Sequence, residues 1–392
     1  MTLRRIAAGL LIAIATVVIA AAREPAPTFD EAERRAIAAH GPWPPAPRRD
    51  LSNRGSGQPA AIAFGARLFA EPRLSADGRL ACATCHRPDR DWTDGVAAGQ
   101  GAVPLDRRTQ PLWNLGHAAW FGWAGQGDSL WAQSIRPILD PAEMASDARR
   151  AARLVREDAT LACFHRAAFG AEPPEDERVL VDIGKALAAF QETLVSPRTP
   201  FDAFRDALIA GDAAGIAAYP DDAKRGLKLF VGRGECAACH FGPRFTTGEF
   251  ADVGIPFFRR SGGVDPGRFE GIAQALANPF NRLGSHSDSA DGAGATRLRH
   301  VERQHRNFGE FKIPGLRQVA RTGPYMHDGS KPTLESVVEH YSTVSLDCLH
   351  GNTERLVRPL GLTPGESADL VAFLRSLSVE APLPVAPPAT CP

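Results

Sequence analysis

Cys82-Ala-Thr-Cys85-His86 and Cys236-Ala-Ala-Cys239-His240 are two copies of one Cys-X-X-Cys-His motif, and nothing else in the chain constrains it as much. The spacing lets two thiols add to the two vinyl groups of one haem, with the next residue, histidine, under the iron as its axial ligand. A bare Cys-X-X-Cys also serves as a redox pair or as half a zinc site. Zinc needs four ligands in one cluster, whereas these motifs lie far apart and each carries its own histidine. The pair therefore predicts two covalently bound c-type haems.

A chain of 392 residues is long enough for two units with real cores. Forty-five basic and 45 acidic residues cancel, so the charge balance points to neither nucleic acid nor an acidic membrane as a general partner. With 32 prolines and 37 glycines among short apolar runs, helices joined by long ordered loops are expected.

The N-terminus reads as an export signal. Arg4 and Arg5 precede an apolar run from Ile6 to about Ala22, and the run ends in small residues, Ala20-Ala21-Ala22. Cleavage near Ala22 leaves a periplasmic chain with no stable membrane span; the alternative is an uncleaved anchor. Cys163, Cys348 and Cys391 remain once the haem motifs are set aside. In an oxidising compartment Cys348 and Cys391 are the candidate disulfide, tying down the Pro-rich tail (381–392), while Cys163 reads as buried packing.

The chain looks internally duplicated. Gly65-Ala66-Arg67-Leu68-Phe69 precedes the first motif and Gly226-Leu227-Lys228-Leu229-Phe230 the second. Trp92-Thr93-Asp94-Gly95 follows the first and Phe245-Thr246-Thr247-Gly248 the second. Each unit reads as helix, haem-binding turn and wrapping loop, which gives an all-α chain of two cytochrome c-like domains in tandem, 28–205 and 206–380. The boundary region, Pro197 to Asp221, carries helix-breaking prolines. Thr363-Pro364-Gly365-Glu366 is a capping box opening a helix with an apolar stripe, and another helix runs from Thr333 through Tyr341. Arg260 to Arg306, rich in Gly, Ser, Asp, Arg and His, reads as a long excursion outside the core.

Several fragments, in order, resemble the bacterial di-haem cytochrome c peroxidases and their MauG-like branch. They are Leu74-Ser75, Asp140-Pro141-Ala142-Glu143-Met144, Cys239-His240-Phe241-Gly242-Pro243, Phe311 to Arg317, and Pro324-Tyr325-Met326-His327-Asp328-Gly329. The resemblance covers most of the chain after residue 22. It implies that hydrogen peroxide reacts at the N-terminal haem while the C-terminal haem relays electrons. It also places the family's distal-pocket glutamate on Glu143 and its glutamine on Gln133. Peroxide must lose a proton to bind and the departing oxygen must regain one, so a carboxylate is wanted there; the bland alternative is a turn carboxylate after Pro141. Trp123 falls on the tryptophan between the haems, with core packing as the alternative among Trp113, Trp120 and Trp131. Asp94 and Gln126 are weaker candidates, and at Gln126 the family usually carries arginine.

Typical members block the first haem with a loop histidine, yet residues 87 to 116 contain none, and His117 reads as structural. The first haem is therefore expected to be open in the oxidised protein. At the sixth position of the second haem the resemblance places Tyr341, with neighbouring His340 as the competing ligand. A phenolate is a hard anion that favours oxidised iron and lowers the potential relative to methionine. A calcium ion is a further family feature. It maps to the carbonyls of Thr322 and Pro324, but Arg108 stands at its asparagine position.

Two function classes follow. One is a peroxidase, drawing electrons from a small cytochrome or cupredoxin or oxidising a protein substrate. The other is a non-enzymatic electron-transfer cytochrome. The tryptophan that MauG carries two residues before its second haem motif is Gly234 here.

Overall fold

A computed structural model describes residues 27–256, 258–289, 294–350, 357–382 and 390–391, so the expected export signal lies outside the described residues. Fourteen α-helices occur among them. The first seven are α1 (Glu31–Ala38), α2 (Pro59–Phe69), α3 (Cys82–Cys85), α4 (Leu130–Leu139), α5 (Ala148–Glu157), α6 (Ala159–Phe169) and α7 (Asp176–Glu192). The others are α8 (Pro200–Ala210), α9 (Ala213–Ala218), α10 (Asp221–Val231), α11 (Arg268–Ala277), α12 (Thr296–Arg299), α13 (Leu334–Thr343) and α14 (Pro364–Ser376). Strands are confined, among the described residues, to β1 (Phe250–Ala251) and β2 (Phe311–Lys312), an antiparallel pair. None of the described helices is long and apolar enough to cross a membrane.

Helix starts follow the local chemistry. Thr363 accepts from the Glu366 amide while Glu366 reaches back to the Thr363 amide, and Pro364 occupies the first turn of α14. Thr333 caps α13 in the same way, accepting from the Ser336 amide.

Two apolar cores dominate. One gathers Phe64 and Leu68 of α2, Trp131 and Ile135 of α4, and Val179, Ile183 and Leu187 of α7. The other gathers Leu227 and Phe230 of α10 with Leu370, Phe373 and Leu374 of α14. It also takes in Phe201 and Phe204 of α8 and, from near the start of the described chain, Phe29 and Ile37. The two cores repeat one contact. A methyl group on Gly65 would lie 1.9 Å from the Ala186 carbonyl oxygen and 2.9 Å from Phe190. A methyl on Gly226 would lie 1.9 Å from the Asp369 oxygen and 2.8 Å from Phe373. In each core, then, the helix before the haem motif approaches a later helix so closely that only glycine fits.

Two sequence expectations are corrected. The stretch from Arg260 to Arg306 contains α11, whose Ile272 and Ala275 are buried; Ala275 joins Trp120 and Leu298 in a third, small apolar cluster. The disulfide joins Cys163 to Cys391. Cys391 packs against the first core, which includes Leu161 and Phe164 of α6, whereas Cys348 is exposed and forms no disulfide.

Candidate functional site

Each Cys-X-X-Cys-His segment forms one short turn, α3 in the first case, that ends at its histidine. In both, the histidine Nδ1 donates to a carbonyl farther along the loop: His86 to Trp92 at 3.2 Å and His240 to Phe245 at 3.0 Å. Trp92 and Phe245, the residues matched between the repeats, both hold positive φ, 63° and 54°. That region is unfavourable for bulky side chains, so the fold sustains the same local strain twice to aim one carbonyl at each imidazole. A hydrogen bond on Nδ1 fixes the tautomer and leaves the Nε2 lone pair for iron. Burial holds both imidazoles neutral, lowering His240 to about 4. Burial also pushes Cys82 and Cys236 up to about 12 and Cys85 up to about 11.

A cavity of about 890 Å³, counted with its mouth, opens beside the first motif and is lined by Cys82, Cys85 and His86. Gln133, Glu143 and Met144 line it too. These three come from α4 and the turn after it. Ser129 caps α4, which presents Gln133 and Arg136 one turn apart and ends at Asp140. The chain then folds back, so that Arg136 Nη2 donates to Glu143 Oε1 at 2.6 Å and Nη1 to Asp140 Oδ2 at 3.0 Å. Gln133 Oε1 is buried with no hydrogen-bond partner among the described residues, a polar atom that a ligand in the cavity would satisfy. Sequence reasoning missed Arg136; its placement four residues before Asp140 and seven before Glu143 is the signal that could have found it. His117 lies outside this cavity, lining a separate polar one with Arg48 and Glu192.

The second cavity, about 1500 Å³ with its mouth included, is lined by Cys236, Cys239, His240 and Tyr341. Met326 and His327 also line it. Among the described residues the Tyr341 hydroxyl has no hydrogen-bond partner, and burial pushes its phenol well above the usual range. His340, its neighbour on α13, instead donates from Nε2 to the Val253 carbonyl at 2.7 Å. Tyr341 and His340 thus take different surroundings, as the angle between adjacent helical residues requires.

Trp123 lines both the second cavity and a smaller one that shares Gln110, Pro111, Leu115 and Lys312 with the first. Its indole donates to the Arg108 carbonyl at 2.9 Å. Asp94 accepts from Thr109, and Gln126 accepts from the Ala124 amide, both loop-orienting contacts. Arg268 reaches the same turn, donating to Gly125 O at 2.8 Å while its guanidinium lies 4.0 Å over Trp120.

The donor sets and cavities fit two haems. Calcium does not fit. Arg108 Nη2 donates to the Thr322 carbonyl at 2.5 Å, so a guanidinium already occupies one expected ligand. Among the described residues no group of three or more His, Cys, Asp or Glu side chains gathers as a metal site.

Two cavities, each edged by a pair of thiols and a carbonyl-braced imidazole, with an indole at the second and at the space adjoining the first, define the class of c-type di-haem proteins. The sequence profile of the di-haem cytochrome c peroxidases matches residues 59–208. The methylamine utilization protein MauG of Methylorubrum extorquens is 39% identical over 329 residues, 82% of this chain and 79% of that protein. Cytochrome-c peroxidase IdrP1 of Denitromonas iodatirespirans is 34% identical over 82% of each chain. Among solved structures, a MauG-like protein associated with microbial copper homeostasis superimposes with a TM-score of 0.64 at 26% identity, over 87% of this chain and 96% of that one. The chain belongs to the di-haem cytochrome c peroxidase family, on its MauG-like branch, and is an oxidoreductase.

Proposed function

We propose that this chain is an exported, periplasmic peroxidase of two haem-binding units, one built on α2, α4 and α7 and the other on α10 and α14 with α8 and the segment around Phe29 and Ile37, that reduces hydrogen peroxide in the first cavity. Electrons reach it through the second cavity from a small cytochrome, a cupredoxin or an oxidisable protein substrate. The reading rests on one observation: Glu143, paired with Arg136, and the unpartnered Gln133 Oε1 share a cavity with His86.

His86 and His240 would ligate the two irons, with Cys82, Cys85, Cys236 and Cys239 as covalent anchors. Bound there, iron porphyrin supplies the redox chemistry that cleaves an O–O bond. Glu143 takes a proton from the entering peroxide and returns it to the departing oxygen, which leaves as water. Arg136, donating from Nη2 to Oε1 at 2.6 Å, holds that carboxylate in place. Gln133 Oε1 accepts from the peroxide hydroxyl and orients it. The turnover balances as one peroxide, two donor electrons and two protons giving two waters. Trp123, beside the second cavity and the space adjoining the first, is positioned to pass those electrons. Tyr341, which lines the second cavity with His240, would also hold the iron there. The absence of histidine from residues 87 to 116 leaves the first site open to peroxide in the oxidised protein.

Stopped-flow mixing of oxidised holoprotein with peroxide tests the proposal. Glu143→Gln should keep both haem spectra and slow peroxide cleavage roughly 10²–10⁴-fold, the usual worth of a positioned acid–base group. Two low-spin haems that ignore peroxide until reduced would overturn the open first site, and haems that ignore it even after one-electron reduction would favour the electron-transfer cytochrome instead. Unchanged turnover in Glu143→Gln would return Glu143 to a turn carboxylate.

A further inference from the structure

Arg108 is 7% exposed, yet its guanidinium forms no ion pair among the described residues. Its single side-chain hydrogen bond there goes to the Thr322 carbonyl. Burial lowers it to about 10, with Asp94 and Tyr325 acting the other way only at a distance. A buried cation with most of its five donors free is costly unless an anion or acceptor meets it. The side chain lines the second cavity beside Thr322 and Tyr325. The backbone of the same residue is fixed at both ends: its amide donates to His327 O at 3.0 Å, and its carbonyl accepts from Trp123 Nε1.

We propose that Arg108 is a built-in substitute for a divalent cation. One face of its guanidinium holds the Thr322 carbonyl, the other takes a propionate carboxylate of the haem in the second cavity, and its carbonyl fixes the Trp123 indole. The chain is then independent of calcium. This inference rests on the di-haem reading, because the carboxylate belongs to that haem. The charge logic is direct. A divalent ion draws several oxygens together by charge, and it can be chelated. A guanidinium offers one charge in a rigid fork suited to a carboxylate, and it cannot be removed.

The test uses purified holoprotein, first assayed for haem content, so that failure of the di-haem reading (fewer than two haems per chain) is distinguishable from failure of this one. Calcium titration by calorimetry of the chelator-treated wild type should show no uptake, and EGTA should leave its absorption spectrum and second-haem potential unchanged. Arg108→Asn removes a positive charge beside that haem, and its reduction potential should shift negative. Arg108→Lys, which keeps the charge, should shift it less. Stoichiometric calcium uptake by the wild type, an EGTA-sensitive spectrum, or an Arg108→Asn protein with both haems and the wild-type potential would each overturn the assignment. If Arg108→Asn does not accumulate, the wild-type calcium and EGTA measurements still decide the question.

Discussion

Replacing Gly226 by alanine tests whether the close approach of α10 and α14 sets the geometry of the second core. The added methyl would sit 1.9 Å from the Asp369 carbonyl oxygen, against about 3.3 Å for a comfortable carbon–oxygen contact. The helices must therefore part by about 1.4 Å, and the oxygen is backbone, so no side-chain rotation relieves it. Alanine gains about 1 kcal/mol over glycine from helix propensity. Against this stand roughly 1–3 kcal/mol or more for overpacking and the dispersion lost as Leu227, Phe230, Leu370 and Phe373 separate, since a gap of even ~1 Å forfeits up to about half of each contact. The net expectation is a loss of about 2–3 kcal/mol, seen as a lowered midpoint in denaturant titrations followed by far-ultraviolet circular dichroism and haem absorbance. Gly365, in the first turn of the same α14, has no atom within 4 Å of the place its added methyl would take, so Gly365→Ala should be neutral or stabilise by up to about 1 kcal/mol. Opposite signs from two glycines of one helix pair isolate the contact from propensity. A Gly226→Ala protein as stable as wild type refutes the reasoning.

Tyr341→Phe should open the second haem to exogenous cyanide and raise its potential, while His340→Ala leaves the low-spin spectrum unchanged; the reverse pattern moves the ligand to His340. If Met326 holds that iron instead, Tyr341→Phe changes neither property. Burial, reinforced by Asp50, pushes the Glu192 carboxyl up to about 7. The folded chain then keeps a proton that the unfolded chain releases near pH ~4.3, so this stabilisation is full below that pH and is lost as pH rises to about 7. Glu192→Gln should flatten the pH dependence of the thermal midpoint across that window, and an unaltered slope would show that Glu192 titrates normally.

The elements that sequence makes legible are those whose cause is local. The haem motifs and the Thr333 and Thr363 caps depend on neighbours within a few residues, and the segments around Gly65 and Gly226 are legible because they repeat, although their glycines answer to distant helices. Glu143, Gln133 and Tyr341, which line the two cavities, are reached only through the resemblance to the family, not from composition or spacing. What escaped depends on the path of the chain. The pairing of Cys163 with Cys391 needs the tail to return to α6, and spacing carries no trace of that. The Arg136–Glu143 contact requires α4 to stop at Asp140 and the next turn to fold back. Helix α11 was hidden because its buried face is narrow, with Gly271 and Ala275 beside Ile272, and because its buried polar anchor, Arg268, reads as a surface residue.

Phe29 and Ile37 pack into the second core, while Cys391 is bonded to Cys163 beside the first. The two apolar cores are therefore laced together from both directions. A cut in the chain between them would not free either core without also undoing a packed helix and a covalent bond. Electron tunnelling falls off exponentially with distance, so a pair of redox centres profits from a spacing that thermal motion cannot stretch. Under the proposed function the lacing would act as a fixed spacer, making the gap across Trp123 a property of the whole chain rather than of one interface.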